Sequence, residues 1–228
     1  MASVRPAHLA VSFTAIQRNL LRAGFGLILF FLQPRDASAQ SNWNRFWHIS
    51  GPERCWAIRH PFTAGKCLRL TKEAKAATHV MASSDVLDHD ISGGQVDAFR
   101  HGYWMALLSS RVSTRKARSL GKAHERGNRK DFKKHHFEEG MTPDRAAGEM
   151  DTWNNEQGIL IGNRMHNAPE DSLQQLVIRG ILAGDFRILA KDGNGNWLNC
   201  NGQVLSPADI KDTWENDKCL VPSNQRHE

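Results

Sequence analysis

The chain has 228 residues, a formal charge of +6 and 40% hydrophobic residues, enough for one domain with its own core. Residues 1–39 hold four of the 30 Lys and Arg and one of the 24 Asp and Glu, so the remainder carries only +3. Global basicity therefore gives no ground for a nucleic-acid partner.

The chain opens on an address-like segment. Arg18 and Arg22 precede an apolar run from Ala23 to Leu32, shorter than the roughly 20 residues that span a bilayer. Ala37-Ser38-Ala39 then offers a small-x-small cleavage pattern before Gln40, so residues 1–39 read as a signal peptide and 40–228 as an exported, periplasmic or secreted domain. A buried helix or signal anchor fits less well, because Pro34, Arg35 and Asp36 end the run abruptly. No transmembrane helix is expected in the mature chain. Trp43, Phe46, Trp47 and Trp56 crowd the next segment and should pack the new N-terminus onto the core rather than form a lipid- or carbohydrate-touching surface.

Export permits disulfides, and Cys55, Cys67, Cys200 and Cys219 allow three connectivities. Cys55–Cys67 and Cys200–Cys219 are the local choices; zinc bound by all four is disfavoured, since neither pair has close C-x2-4-C spacing. Thr71 can cap a helix to about Ser83, and Asp85 to Gly94 reads as a loop leading to the helix that bears Asp97 and His101. Further helices are predicted near Ser113–Gly127, Pro143–Met165 (opened by Thr142-Pro143) and Pro169–Gly184. Gly127 to Gly140 is expected to be a mobile connection gating His124. Phe186–Ala190 and Trp197–Leu198 flank a glycine-rich turn, Asp192–Asn196, as in a β-hairpin. Ser206-Pro207-Ala208-Asp209 opens a last short helix. The expected fold is mainly α, a single helical domain with a small C-terminal β-hairpin.

Three helices carry ionisable or amide side chains on faces otherwise apolar or small. Asp97 and His101 lie at i and i+4 and share a face. His124 continues the stripe Ser113, Ala117, Leu120; Glu125 is rotated about 100° from it, either flanking the same site or solvated. Asp151 lines up with Ala147, Asn154, Asn155, Gly158 and Gly162, small residues that let another helix approach closely. Adjacent asparagines in a helix interior compete with backbone hydrogen bonds and require an offsetting role.

Pooled, Asp97, His101, His124 and Asp151 make a ligand set for zinc, manganese or another divalent ion, with Arg100, Asn154 and Asn155 as supporting neighbours. The candidate catalytic groups are His101, His124, Glu125 and Asp151. With metal the chemistry is hydrolysis of a phosphoester or other ester; without it, a histidine paired with Asp151 would be a general base on water. The competing expectation is a non-enzymatic envelope or interaction module whose polar network only fixes helix packing.

Asp97-Ala98-Phe99-Arg100-His101-Gly102-Tyr103-Trp104, Ala123-His124-Glu125 and Met150-Asp151-Thr152-Trp153-Asn154-Asn155-Glu156-Gln157-Gly158 together resemble a bacterial domain family of unknown function. The resemblance covers roughly residues 85–165 and implies a shared site at these positions, with no activity attached. A weaker likeness is to secreted phospholipase A2 enzymes, in which a calcium-binding Asp directly follows the catalytic His. Here Gly102 follows His101, so that ligand is absent.

Asp88-His89-Asp90-Ile91-Ser92-Gly93 begins like a calcium loop, but its twelfth position is Phe99, which disfavours an EF-hand. A turn that starts the next helix is the better reading, with Asp88 and Asp90 able to rim the site. From Arg111 to Lys134 ten basic residues face two acids, Glu125 and Asp131. Such a run is first a solvated face and second a positive surface for an anionic substrate, lipid, glycan or nucleic acid.

Overall fold

A helix normally buries one stripe, but Gln95–Arg111 buries fifteen of its 17 residues, which makes it the central element. The computed structural model describes residues 49–134 and 143–225. The leader, Trp43, Phe46, Trp47, Thr142 and part of the Gly127–Gly140 connection lie outside them. In chain order the described elements are α1 (Gly51–Arg59), α2 (Pro61–Ala82), α3 (Gln95–Arg111), α4 (Thr114–Lys133), α5 (Arg145–Arg164), α6 (Glu170–Ala183), β1 (Arg187–Leu189), α7 (Pro207–Ile210) and β2 (Leu220–Pro222). The fold is mainly helical, with a small two-stranded antiparallel sheet.

α2, α4, α5, α6 and β1 all pack on α3. Phe99, Tyr103, Met105, Leu107 and Leu108 form the middle of the main core, with Val177, Ile181 and Phe186 against them. α5 approaches α3 most closely. A Cβ added at Gly158 would fall on the Gly102 carbonyl oxygen, and one at Gly162 on that of Ala106. The small-residue stripe on α5 thus meets backbone, and only hydrogen at those two positions permits the contact.

Helix ends follow local chemistry. Ser50 and Glu53 form a capping box on α1, Ser113 accepts from Lys116 N on α4, and Gly184 ends α6 in the left-handed region at φ 89°. Ser206 and Asp209 form the expected capping box on α7. α5 begins later than Thr142-Pro143 implied: Asp144 is its cap, accepting from Ala147 N at 2.8 Å.

Other boundaries also differ. Thr71 does not start a helix, because Pro61 opens α2 and the buried series Cys67, Leu70, Ala74, Thr78, Met81 already runs through it. The Thr71 hydroxyl instead donates to the Cys67 carbonyl and accepts from Trp104 Nε1 at 2.9 Å. α4 continues past Gly127 to Lys133, so the first part of the expected mobile connection is helix; Gly127 is buried against Ser50.

β1 pairs not with Trp197–Leu198 but with β2, Ile188 opposite Val221. The expected partner contributes single bridges, Lys191 to Trp197 and Leu198 to Val204, because polar Asn199 to Gly202 cut that strand short while Leu220-Val221-Pro222 supplies an apolar one. Asp192–Asn196 is the turn expected, with Asp192 accepting from the backbone of Asn194 and Asn196. Cys200 and Cys219 form a disulfide. Cys55 and Cys67 do not: Cys55 is exposed on α1, Cys67 faces the core, and burial pushes the Cys67 thiol up to about 11. Among the described residues no helix is long and apolar enough to cross a membrane.

Candidate metal centre

The loop before α3 fixes where the site begins. Asp88 accepts from the backbone N–H of Gln95 at 2.7 Å and of Val96 at 3.3 Å, so a carboxylate from upstream caps the helix in place of a residue at Gly94. Asp90 accepts from Ser92 N at 3.0 Å and pairs with Lys191. Both acids therefore serve the turn and the helix start.

One turn in, Asp97 uses Oδ2 to accept from Gly93 N at 2.7 Å. Its Oδ1 lies 3.6 Å from His101 Nε2 and 2.7 Å from Arg100 Nη2. From α5, Asp151 Oδ1 lies 3.2 Å from the same His101 nitrogen. All three groups are buried, and one donor atom from each lies within 4.8 Å of the others. Ligands around one ion with bonds of about 2.0–2.2 Å sit roughly 3–4 Å apart; the two imidazole–carboxylate separations lie in that range, so the group could hold a divalent cation.

The imidazole orientation is set from its other side. His101 Nδ1 lies 3.3 Å from Asn155 Oδ1, and Asn155 Nδ2 donates to Glu125 Oε1 at 3.5 Å. The Glu125 carboxylate can only accept, so it turns the amide to place its oxygen toward His101, which must then carry its proton on Nδ1. Nε2 keeps its lone pair, directed at the two aspartates. Arg100 Nη2, 3.2 Å away, donates into it. Burial, then the charge of Arg100, then that of His124 hold the His101 imidazole well below its ordinary value, so it is neutral near pH 7.

The two asparagines divide the labour expected of them. Asn155 serves His101, whereas Asn154 makes a two-point contact with the backbone of Arg187, donating to its O and accepting from its N at 2.9 Å each. Asn154 therefore fastens β1 to α5 and stands outside the donor group.

His124 sits beside this group, its ring centroid 6.2 Å from that of His101 and the edge of Trp104 against it at 5.4 Å. Its Nδ1 lies 3.1 Å from Glu53 Oε1, while Glu53 Oε2 accepts from Ser50 N at 3.0 Å. Burial alone would raise the Glu53 carboxyl; the His124 and Ser50 contacts outweigh it and hold the group at about 2. Sequence reasoning missed Glu53. The Ser50-x-x-Glu53 spacing is that of a capping box, and nothing local connects that carboxylate to α4.

A cleft of about 650 Å³ opens beside the group between α4 and α5. Asp151 and Glu125 line it, with Arg126, Arg129, Trp153 and Trp214 at its walls. The basic run on α4 is mostly spread over the helix surface: Arg118 forms a two-point pair with Glu156 at 2.7 Å, and Arg129 lies over the Trp214 ring.

No curated protein and no solved structure matches the chain. A family model does, over residues 54–184, from α1 to the end of α6. That span exceeds the 85–165 core of the sequence resemblance and takes in every donor of the buried group. The chain belongs to the family described as domain of unknown function DUF6973.

Proposed function

We propose that Asp97, His101 and Asp151 hold a divalent cation, zinc or manganese, and that the protein is a metal-assisted hydrolase of phosphoester or other ester substrates. The observation that carries this reading is the convergence of one imidazole lone pair and two carboxylate oxygens in a buried space. Like partial charges meeting there are stabilised by a cation between them. When bound, such an ion supplies Lewis acidity and a water acidified to a pKa of about 7.

The protein's own groups set the rest. Glu125 and Asn155 lock the His101 tautomer, as partners behind a metal ligand do. His124, its Nδ1 engaged by Glu53, handles the proton beside the donor group, as the acid toward the leaving group. The cleft admits the ester, and Arg126 and Arg129 on its wall meet an anionic substrate group, the part of the basic segment that bears on function. Export is the accompanying reading, supported by the leader-like segment and by the Cys200–Cys219 bridge, which belongs to an oxidising compartment.

Elemental mass spectrometry of the dialysed protein tests the metal. About one zinc or manganese per chain, lost in His101→Ala, is the expected result, followed by turnover on a panel of chromogenic phosphoesters and carboxylic esters. No metal in the wild type would leave the second reading, a network that only holds helices together. One contact favours that alternative: Arg100 already places a positive charge against Asp97 and His101.

A further inference from the structure

We propose that Arg100 is a built-in competitor for the metal position, a tethered cation that holds the site closed until a divalent ion displaces it. The proposal rests on the metal reading above and adds how that site is regulated.

The conflict is one of lone pairs. A guanidinium carries donors only, so Arg100 Nη2 at 3.2 Å from His101 Nε2 is donating into the imidazole's one in-plane pair. A metal bound through Nε2 needs that same pair, and the two cannot share it. The same Arg100 nitrogen lies 2.7 Å from Asp97 Oδ1, a second of the three donor atoms. Arg100 therefore lies against two of the three donor atoms and takes the single lone pair of one of them.

Its placement in the chain explains how. Arg100 follows Asp97 by three residues on α3, close enough to form an i, i+3 pair, and it immediately precedes His101. The guanidinium thus bends across its own helix toward the polar group rather than arriving from a neighbour. It differs from the groups it covers in one respect that matters. The Arg100 side chain is 21% exposed, against 2% for His101 and 8% for Asp97. A long flexible stem with a route to solvent can swing out without unpacking the core, which His101 and the aspartates cannot do.

Without metal, the tether offsets the burial of two carboxylates beside an imidazole lone pair. With metal, it is released, and the exchange lowers the apparent affinity of the site. A weak or abundant cation would then fail to displace it, whereas a strongly bound one would succeed, so Arg100 also acts as a selectivity filter.

The test is zinc binding to the full-length protein by isothermal titration calorimetry, comparing wild type with Arg100→Gln. Hydrogen bonds to charged groups set the scale: the variant is expected to bind zinc at least about tenfold more tightly. Equal or weaker binding by a folded variant, with the wild type binding, would overturn the proposal and leave the metal reading intact. Binding by neither would remove both. Should Arg100→Gln not fold, a crystal structure of wild type soaked in zinc decides: zinc on His101 with Arg100 turned to solvent supports displacement, and zinc bound with Arg100 still against His101 refutes it.

Discussion

α3 and α4 are similar in length and both carry a histidine that points inward, yet they bury their residues in opposite ways. α3 hides almost everything, including Asp97, His101, Ser109 and Ser110. α4 hides Ala117, Leu120, Gly121, Ala123 and Gly127 along one stripe and leaves Lys122, Arg126 and Lys130 in water. The same residue type thus carries different information on each. A charge on α3 has no solvent to relax into and must find partners, so its polar residues mark a site. A charge on α4 is, by default, hydration.

The sharpest way to break this contrast is to force α5 away from α3. Gly158→Val would set a branched side chain on the Gly102 carbonyl, which overpacking arguments place at a loss of at least about 3 kcal/mol and more where backbone is hit. Loss of the cooperative thermal transition in circular dichroism is expected; a folded variant would mean the helices can separate and the site is not fixed by their contact.

Next in size is the half-buried polar contact of α4, His124 with Glu53. The Glu53 carboxyl falls from an ordinary 4.5 to about 2 in the folded protein. A lowered carboxyl stabilises fully above about pH 4.5 and is lost as pH drops toward 2, with a contribution on the order of 3 kcal/mol. In Glu53→Gln the denaturant midpoint should be lower than wild type at pH 6, and the gap should close on going to acid. A gap that stays constant with pH would exclude the charged pair.

The smallest effects belong to the outer face of α4. Arg118→Ala removes a pair with Glu156 in which both side chains are 39% exposed, and should change stability by at most about 1 kcal/mol. Lys130→Ala should fall within about 0.5 kcal/mol. Urea denaturation resolves both, and a larger loss at Lys130 would show that the basic face is packed rather than solvated.

Periodicity reveals which way a residue faces, and much of the site was legible through it. The four-residue step from Asp97 to His101 and the alignment of Asp151 with Asn155, Gly158 and Gly162 were enough to predict a polar group at a close helix contact. Partners were harder. Asn154 and Asn155 look equivalent in sequence, but a rotation of 100° on the helix sends one to the backbone of Arg187 and the other to His101. Glu53 reaches His124 across 71 positions, and β1 finds Leu220–Pro222 past a nearer candidate. Each depends on inter-element register, which no local pattern encodes. Arg100 was legible as a neighbour of the site, but its direction was not, since a flexible stem can turn outward or inward from the same Cα.

Gln95, the first residue of α3, donates through Nε2 to the Ser223 carbonyl at 2.7 Å across 128 positions of chain, and Ser223 Oγ in turn donates to the Ile181 carbonyl at 2.6 Å. A ribosome emits Gln95 long before Ser223. The helix that bears Asp97 and His101 therefore leaves the tunnel with its start capped by Asp88 but not yet tied to Ser223, and that tie forms only once the chain through residue 223 has been translated. Nascent chains stalled short of residue 223 should consequently have helices but a loosened donor group, so competence at the site is acquired only when residue 223 has emerged.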